Sequence, residues 1–166
     1  MKDYESTQLL TTTINIESRN IKGDINELLF RYLKKKYEGV CNKDGYVKKD
    51  SLEIVNRSVG EIKTINGISY VVYKITYKAT ILSPVKGIQL NITINSITKM
   101  GIIGYLKDKD EDTIEDSPFI IIVPKEYFED SSIDDDYTVN DTLDTVIEAA
   151  RIKYLSKNIQ VVAKPV

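Results

Sequence analysis

The hydrophobic period of this chain switches from 3.6 residues to 2 after Gly39, so one helix is followed by strands and turns alone. A candidate strand at residues 11–16 comes first. The helix starts at Asp24, which can cap it, with Glu27 three residues on at the spacing of a capping box. Ile25, Leu28, Leu29, Tyr32 and Leu33 fall at i, i+3, i+4, i+7 and i+8 and form one apolar stripe. Arg31, Lys34, Lys35 and Lys36 crowd the opposite face and last turns, where cations complement the helix dipole, and Gly39 supplies the stop. A solvated helix end accounts for that basic cluster; contact with phosphate or an acidic partner is the alternative.

Beyond Gly39, Asp44-Gly45 between Val40-Cys41 and Tyr46-Val47 signals a tight hairpin, because both turn residues tolerate positive φ. A short strand is predicted at residues 51–55, a turn at Ile65-Asn66-Gly67, and the longest strand at residues 70–82. There Tyr70, Val72, Lys74, Thr76 and Lys78 share one face, and Val71, Tyr73, Ile75, Tyr77 and Ala79 the other. One helix with three or four strands predicts, for residues 1–82, a small α+β sandwich of half-ferredoxin character. Pro84 cannot donate to a ladder, so residues 83–87 read as a linker. Residues 88–166 read as all-β: Ile88, Leu90, Ile92 and Ile94 alternate with Gln89, Asn91, Thr93 and Asn95, and Gly101 marks a bulge or sharp bend. Strands at 119–123, 144–154 and 159–163, the last two joined at Ser156-Lys157-Asn158, complete five, as in a small Greek-key OB barrel.

Composition narrows the chemistry. The 166 residues contain no His and a single Cys, Cys41, which excludes a Ser-His-Asp triad, a Cys-His pair, zinc sites built on His or several Cys, and an internal disulfide. Cys41 reads as a small, half-buried strand residue. Asp108, Asp110 and Asp112 begin like a calcium loop, but Thr113 stands where that loop needs glycine and Phe119 where it needs glutamate. The scattered glycines form no phosphate-cradling loop, so no enzyme and no cofactor is expected. No apolar run approaches a membrane span and no charged-then-apolar leader follows Met1, which together with the lone cysteine points to an intracellular chain. Residues 1–86 carry 15 Lys/Arg against 10 Asp/Glu, and residues 87–166 carry 8 against 15. Most of the acid lies in two runs, 107–116 and 129–136, which read as solvated loops. Two domains of about 80 residues each would bury little more than 60% of their unfolded surface, so packing against each other or a partner is expected.

Several short motifs stand in a telling order. Gly39-Val40-Cys41, Gly45-Tyr46-Val47, Tyr77-Lys78-Ala79, Pro84-Val85-Lys86-Gly87 and Lys99-Met100-Gly101 follow one another over residues 39–101. In this the chain resembles the stalk subunit of multisubunit DNA-directed RNA polymerases, the family of eukaryotic polymerase II subunit seven and its archaeal counterpart. That resemblance implies a small N-terminal tip domain passing into an OB barrel of the ribosomal-protein type, in a subunit that is itself non-catalytic. It implies partners as well: the large polymerase core subunits, a small partner resembling subunit four at the domain junction, and weakly contacted nascent RNA.

The resemblance also places candidate sites. Docking on the core falls to the turns Val59-Gly60 and Ile65-Asn66-Gly67, where Ile65 and Ile68 are the apolar residues. RNA contact falls to Tyr105, Phe119, Tyr127 and Phe128 as stacking platforms, with Lys99, Lys125 and Lys153 for phosphates. For Phe119 a core role is the competing reading. Relatives carry an aromatic after the barrel glycine where this chain has Ile102-Ile103, so stacking is lost there and any RNA contact is weak and sequence-independent.

The bias toward Ile, Asn, Lys and Asp without His or Trp fits an AT-rich coding source. A large DNA virus encoding its own polymerase is the first expectation, with the protein in the virion and host cytoplasm; a protist's cellular enzyme, in the nucleus, is the second. The alternatives from other classes are a free-standing OB-fold RNA-binding factor in translation or RNA decay, which needs a basic, aromatic barrel face, and a structural adaptor without RNA contact.

Overall fold

The computed structural model describes residues 2–128 and 136–166. It is mostly β, and the chain divides into two compact units. One consists of Ser6–Gly39 and Val47–Ile81; the other joins Met1–Glu5 and Val40–Tyr46 to Leu82–Val166. The second grouping crosses the single cut that Pro84 signals in sequence, and backbone bonds explain it. Cys41 N–H donates to the Ser156 carbonyl at 2.8 Å, Leu155 N–H to the Cys41 carbonyl at 2.9 Å, and Ser83 N–H to the Tyr4 carbonyl at 2.8 Å. Bonds between residues so far apart in sequence leave no local pattern to read.

The first unit is built around one long strand. Its elements are β1 (Glu5–Glu17), α1 (Ile25–Tyr37), β2 (Tyr46–Val47), β3 (Glu53–Arg57), β4 (Glu61–Ile65) and β5 (Ile68–Leu82). β5 lies between β1 and β2, and β3 and β4 also pair with it antiparallel, at its residues 75–78 and 68–72. Tyr73, Ile75, Tyr77, Ala79 and Ile81 of β5 bury one face against Ile14, Ile16 and the helix residues Leu28, Leu29 and Leu33. Tyr32, expected in that stripe, lies exposed at its edge, and Phe30 and Tyr37 pack partly against the core instead. Asp24 caps α1 as expected, but its carboxylate accepts from Asn26 N–H at 2.9 Å and so serves the second helical residue. A reciprocal capping box occurs further along the chain, between Thr113 and Asp116. β4 has no counterpart in the sequence reading, because all five of its residues are exposed and Glu61, Lys63 and Thr64 hide any apolar alternation. Asn66 and Gly67, both with positive φ, turn it into β5.

The second unit is a closed barrel of β6 (Gln89–Thr98), β7 (Gly101–Tyr105), β8 (Phe119–Pro124), β9 (Thr142–Arg151) and β10 (Ile159–Pro165), in the order β10-β8-β7-β6-β9. β10 runs parallel to β8 and antiparallel to β9, and closure leaves no open edge. Leu90, Ile92, Ile94, Ile102, Phe119, Ile121, Val123, Ile147, Ile159 and Val161 fill the interior. β9 stops at Arg151, short of the expected residue 154, because the chain turns through Leu155 with φ of 65°. Gly101 makes the corner where β6 returns as β7: its φ is +138°, and a Cβ there would stand 2.1 Å from the Val123 carbonyl oxygen. Within the first acidic run, the Asp112 carboxylate turns back to accept from Asp108 N–H at 3.1 Å and Lys109 N–H at 2.8 Å. The second acidic run, apart from Asp136, lies outside the described residues.

Candidate functional site

Two surfaces collect the residues that sequence marks out, one on each unit. On the first unit, the connection after β3 and the β4–β5 hairpin present apolar side chains to solvent. Val59 is 88% exposed and Ile62 74%, with Ile65 and Ile68 also exposed and paired across the hairpin. Such a cluster is costly in water unless a partner covers it. Gly60 lies alongside β5, where a Cβ would meet Val71 Cγ1 at 2.6 Å and the Tyr73 ring at 2.9 Å, so any larger residue must push those two side chains aside. Val59, Gly60, Ile65, Asn66 and Gly67 therefore share one unit, and Ile62 is the exposed residue between those turns that the sequence reading missed.

On the barrel, the RNA candidates separate. Phe119 is fully buried, edge-on to Tyr4 at 5.1 Å between ring centroids, and Tyr105 is 5% exposed with its hydroxyl turned to the Asp112 carbonyl. Neither offers a ring face to a base, and both are corrected: Phe119 points into the barrel from β8, whereas Tyr105 shares the outer face of β7 with Ile103 and is buried there, its hydroxyl within reach of the Asp112 carbonyl. Phe128 is half-buried and edge-on to Tyr137. Lys99 lies in the β6–β7 turn, and Lys125 and Tyr127 in the 3-10 turn after β8; Lys125 N–H donates to the Met100 carbonyl at 2.9 Å, which brings these turns together. Lys153 stands in the β9–β10 turn, at the end of the barrel where β8 begins, since Ile159 pairs with Phe119. It is thus a strand's length, on the order of 17 Å, from Lys99 and Lys125.

That β9–β10 turn carries residues the sequence reading passed over. Tyr154 is 65% exposed, with Arg151, Lys153 and Lys157 exposed around it. Lys153 is already a sequence candidate; Tyr154 is not, because sequence predicts a strand through residue 154 where the structure has a turn. Between the two ends, one strip of the barrel's outside is aliphatic. Ile103, Ile122 and Val162 stand in register across β7, β8 and β10. Lys164 of β10 is engaged by Glu148 at 2.9 Å; that hydrogen bond raises the lysine's pKa and lowers the carboxylate's.

Compared with models of known protein families and with characterised proteins, the sequence matches none of them. Among the described residues no three His, Cys, Asp or Glu side chains gather as a metal site, and no helix is long and apolar enough to cross a membrane.

Cys41, the lone thiol, is buried, and that burial pushes its pKa up from 9.0 to about 11. At pH 8 it holds about a hundredfold less thiolate than an ordinary cysteine. Iodoacetamide labelling followed by mass spectrometry should therefore be slow in the native protein and fast in urea. The folded pKa exceeds the unfolded one, so the stability tied to the neutral thiol is intact below about pH 9 and is lost as pH rises through about 11. Labelling at equal rates in native and unfolded protein would contradict this.

Proposed function

We propose that this chain is a non-catalytic stalk subunit of a multisubunit DNA-directed RNA polymerase, docking on the large core subunits through its first unit and touching nascent RNA weakly through its barrel. The observation that carries the reading is the apolar β4–β5 hairpin with Val59, an unsatisfied surface on a unit whose sequence motifs resemble the tip domain of that family. In this reading the helix-on-sheet unit is the half-ferredoxin tip. The barrel is an OB fold of the ribosomal-protein type, supported by its strand order. β6, β7 and β8 form a meander, and β9 returns beside β6 in Greek-key fashion.

The RNA contact in this proposal belongs to the two ends of the barrel: Lys99, Lys125 and Tyr127 at one, Lys153 and Tyr154 at the other. The aliphatic wall between them gives bases no aromatic platform, which counts against a free-standing RNA-binding factor and keeps affinity in the range of non-specific binding. A small partner resembling subunit four, and a virion or nuclear location, follow from the polymerase reading and rest on it.

Ile62→Asp and Ile65→Asp place charge on the exposed hairpin without touching the core. Each is expected to weaken retention on the purified polymerase core by about tenfold or more, read as loss of co-elution in gel filtration. Normal co-elution of both variants would overturn the docking assignment.

A further inference from the structure

We propose that the groove between α1 and β3 receives an acidic peptide segment of a partner protein, anchored by one apolar side chain. The groove is open to solvent and offers about 990 Å³ within the first unit. Phe30, Ile54 and Val59 supply apolar lining, and Arg31 and Arg57 supply charge. Arg57 is held in place: its Nε donates to Asn26 Oδ1 at 2.7 Å, one terminal nitrogen donates to the Ser58 carbonyl at 3.2 Å, and the guanidinium lies 5.8 Å from the centre of the Tyr73 ring. Two of its five donors are engaged in this way, and the planar fork that remains matches a carboxylate. A side chain already fixed loses little freedom when a ligand arrives.

Charge complementarity selects the occupant. The arginines outnumber Glu27 among the charged lining residues, and Lys35 extends the positive surface along α1, one turn beyond Arg31. The apolar lining argues for a peptide with an anchor residue over a phosphate alone. Recognition is through side chains and not by an added strand, because β3 is a poor edge. Its register shifts between Ile54 and Asn56, and Asn56 Oδ1 accepts the backbone N–H of Arg57 at 2.9 Å. This inference does not rest on the polymerase reading: Val59 belongs to both surfaces, but Phe30, Ile54, Arg31 and Arg57 take no part in the proposed core docking.

The experiment is selection of random peptides displayed on phage against the purified full chain, followed by fluorescence anisotropy with the enriched peptides. Acidic sequences around one aliphatic or aromatic residue are expected, with Kd rising about tenfold in Arg57→Gln and in Val59→Glu. Val59 is so exposed that its substitution leaves the fold intact, which protects the result if Arg57→Gln folds poorly. The proposal is overturned if selection yields no peptides or peptides without acidic bias, or if neither substitution weakens them. Displacement of the peptides by single-stranded oligouridine would assign the groove to nucleic acid and overturn it as well.

Discussion

Phe119→Ala is expected to lower the stability of the barrel by about 4 kcal/mol while leaving its affinity for single-stranded RNA unchanged. The ring is fully buried, and it packs edge-on against Tyr4 among Ile121, Ile159 and the other barrel residues. Its removal leaves a cavity that close-packed strands cannot collapse to fill. Urea unfolding followed by circular dichroism measures the first effect, and anisotropy with a labelled oligouridine at low temperature the second. A residue that stacked on a base would show the reverse pattern: little loss of stability, and an affinity loss of about 1 to 3 kcal/mol. That reversed outcome would return Phe119 to the binding surface.

Gly101→Ala is the second large effect, at about 3 kcal/mol. Two causes add. The φ of +138° is a conformation that L side chains rarely adopt, and the new methyl would stand 2.1 Å from Val123 O and 2.8 Å from Lys125 N. Both are backbone atoms, so no rotamer change relieves the contact. The β6–β7 corner must open, and Lys125 N–H then loses its bond to the Met100 carbonyl, which joins the two turns at that end of the barrel. Gly67→Ala is the internal control. Its φ is also positive, at +77°, but nothing lies within 4 Å of the added Cβ, so only a backbone cost of roughly 1 kcal/mol is expected. Equal losses at the two glycines, measured by the same urea titration, would show that the close approach at Gly101 has been overstated.

The parts of the fold legible in sequence are those whose burial writes a period. Alternation in β5 and β6 and the 3.6-residue stripe of α1 name their core faces directly, with Ile75, Ile81, Ile92 and Leu29 all fully or nearly buried. β4 is illegible because neither face is buried, and a strand without a buried face leaves no pattern. The attachment of residues 40–46 to the barrel is illegible for another reason, since it rests on backbone bonds from Cys41 to a turn more than a hundred residues away. At the sites, identity of side chain was readable and orientation was not. Tyr105 and Phe119 have the right chemistry for stacking, but Phe119 turns into the closed barrel, and Tyr105, on the outer face of β7, is buried beside the Asp112 carbonyl, a contact no local pattern records. Tyr154 belongs to a turn where sequence predicts strand, so its exposure is not legible beforehand.

The most direct test of the polymerase reading is recovery of the tagged chain from its native source at moderate salt, with mass spectrometry of whatever accompanies it. Two very large RNA polymerase subunits are expected in near-equal amount with the tagged chain. Recovery of ribosomes, or of RNA without those subunits, would contradict the polymerase reading and favour a free-standing RNA-binding factor.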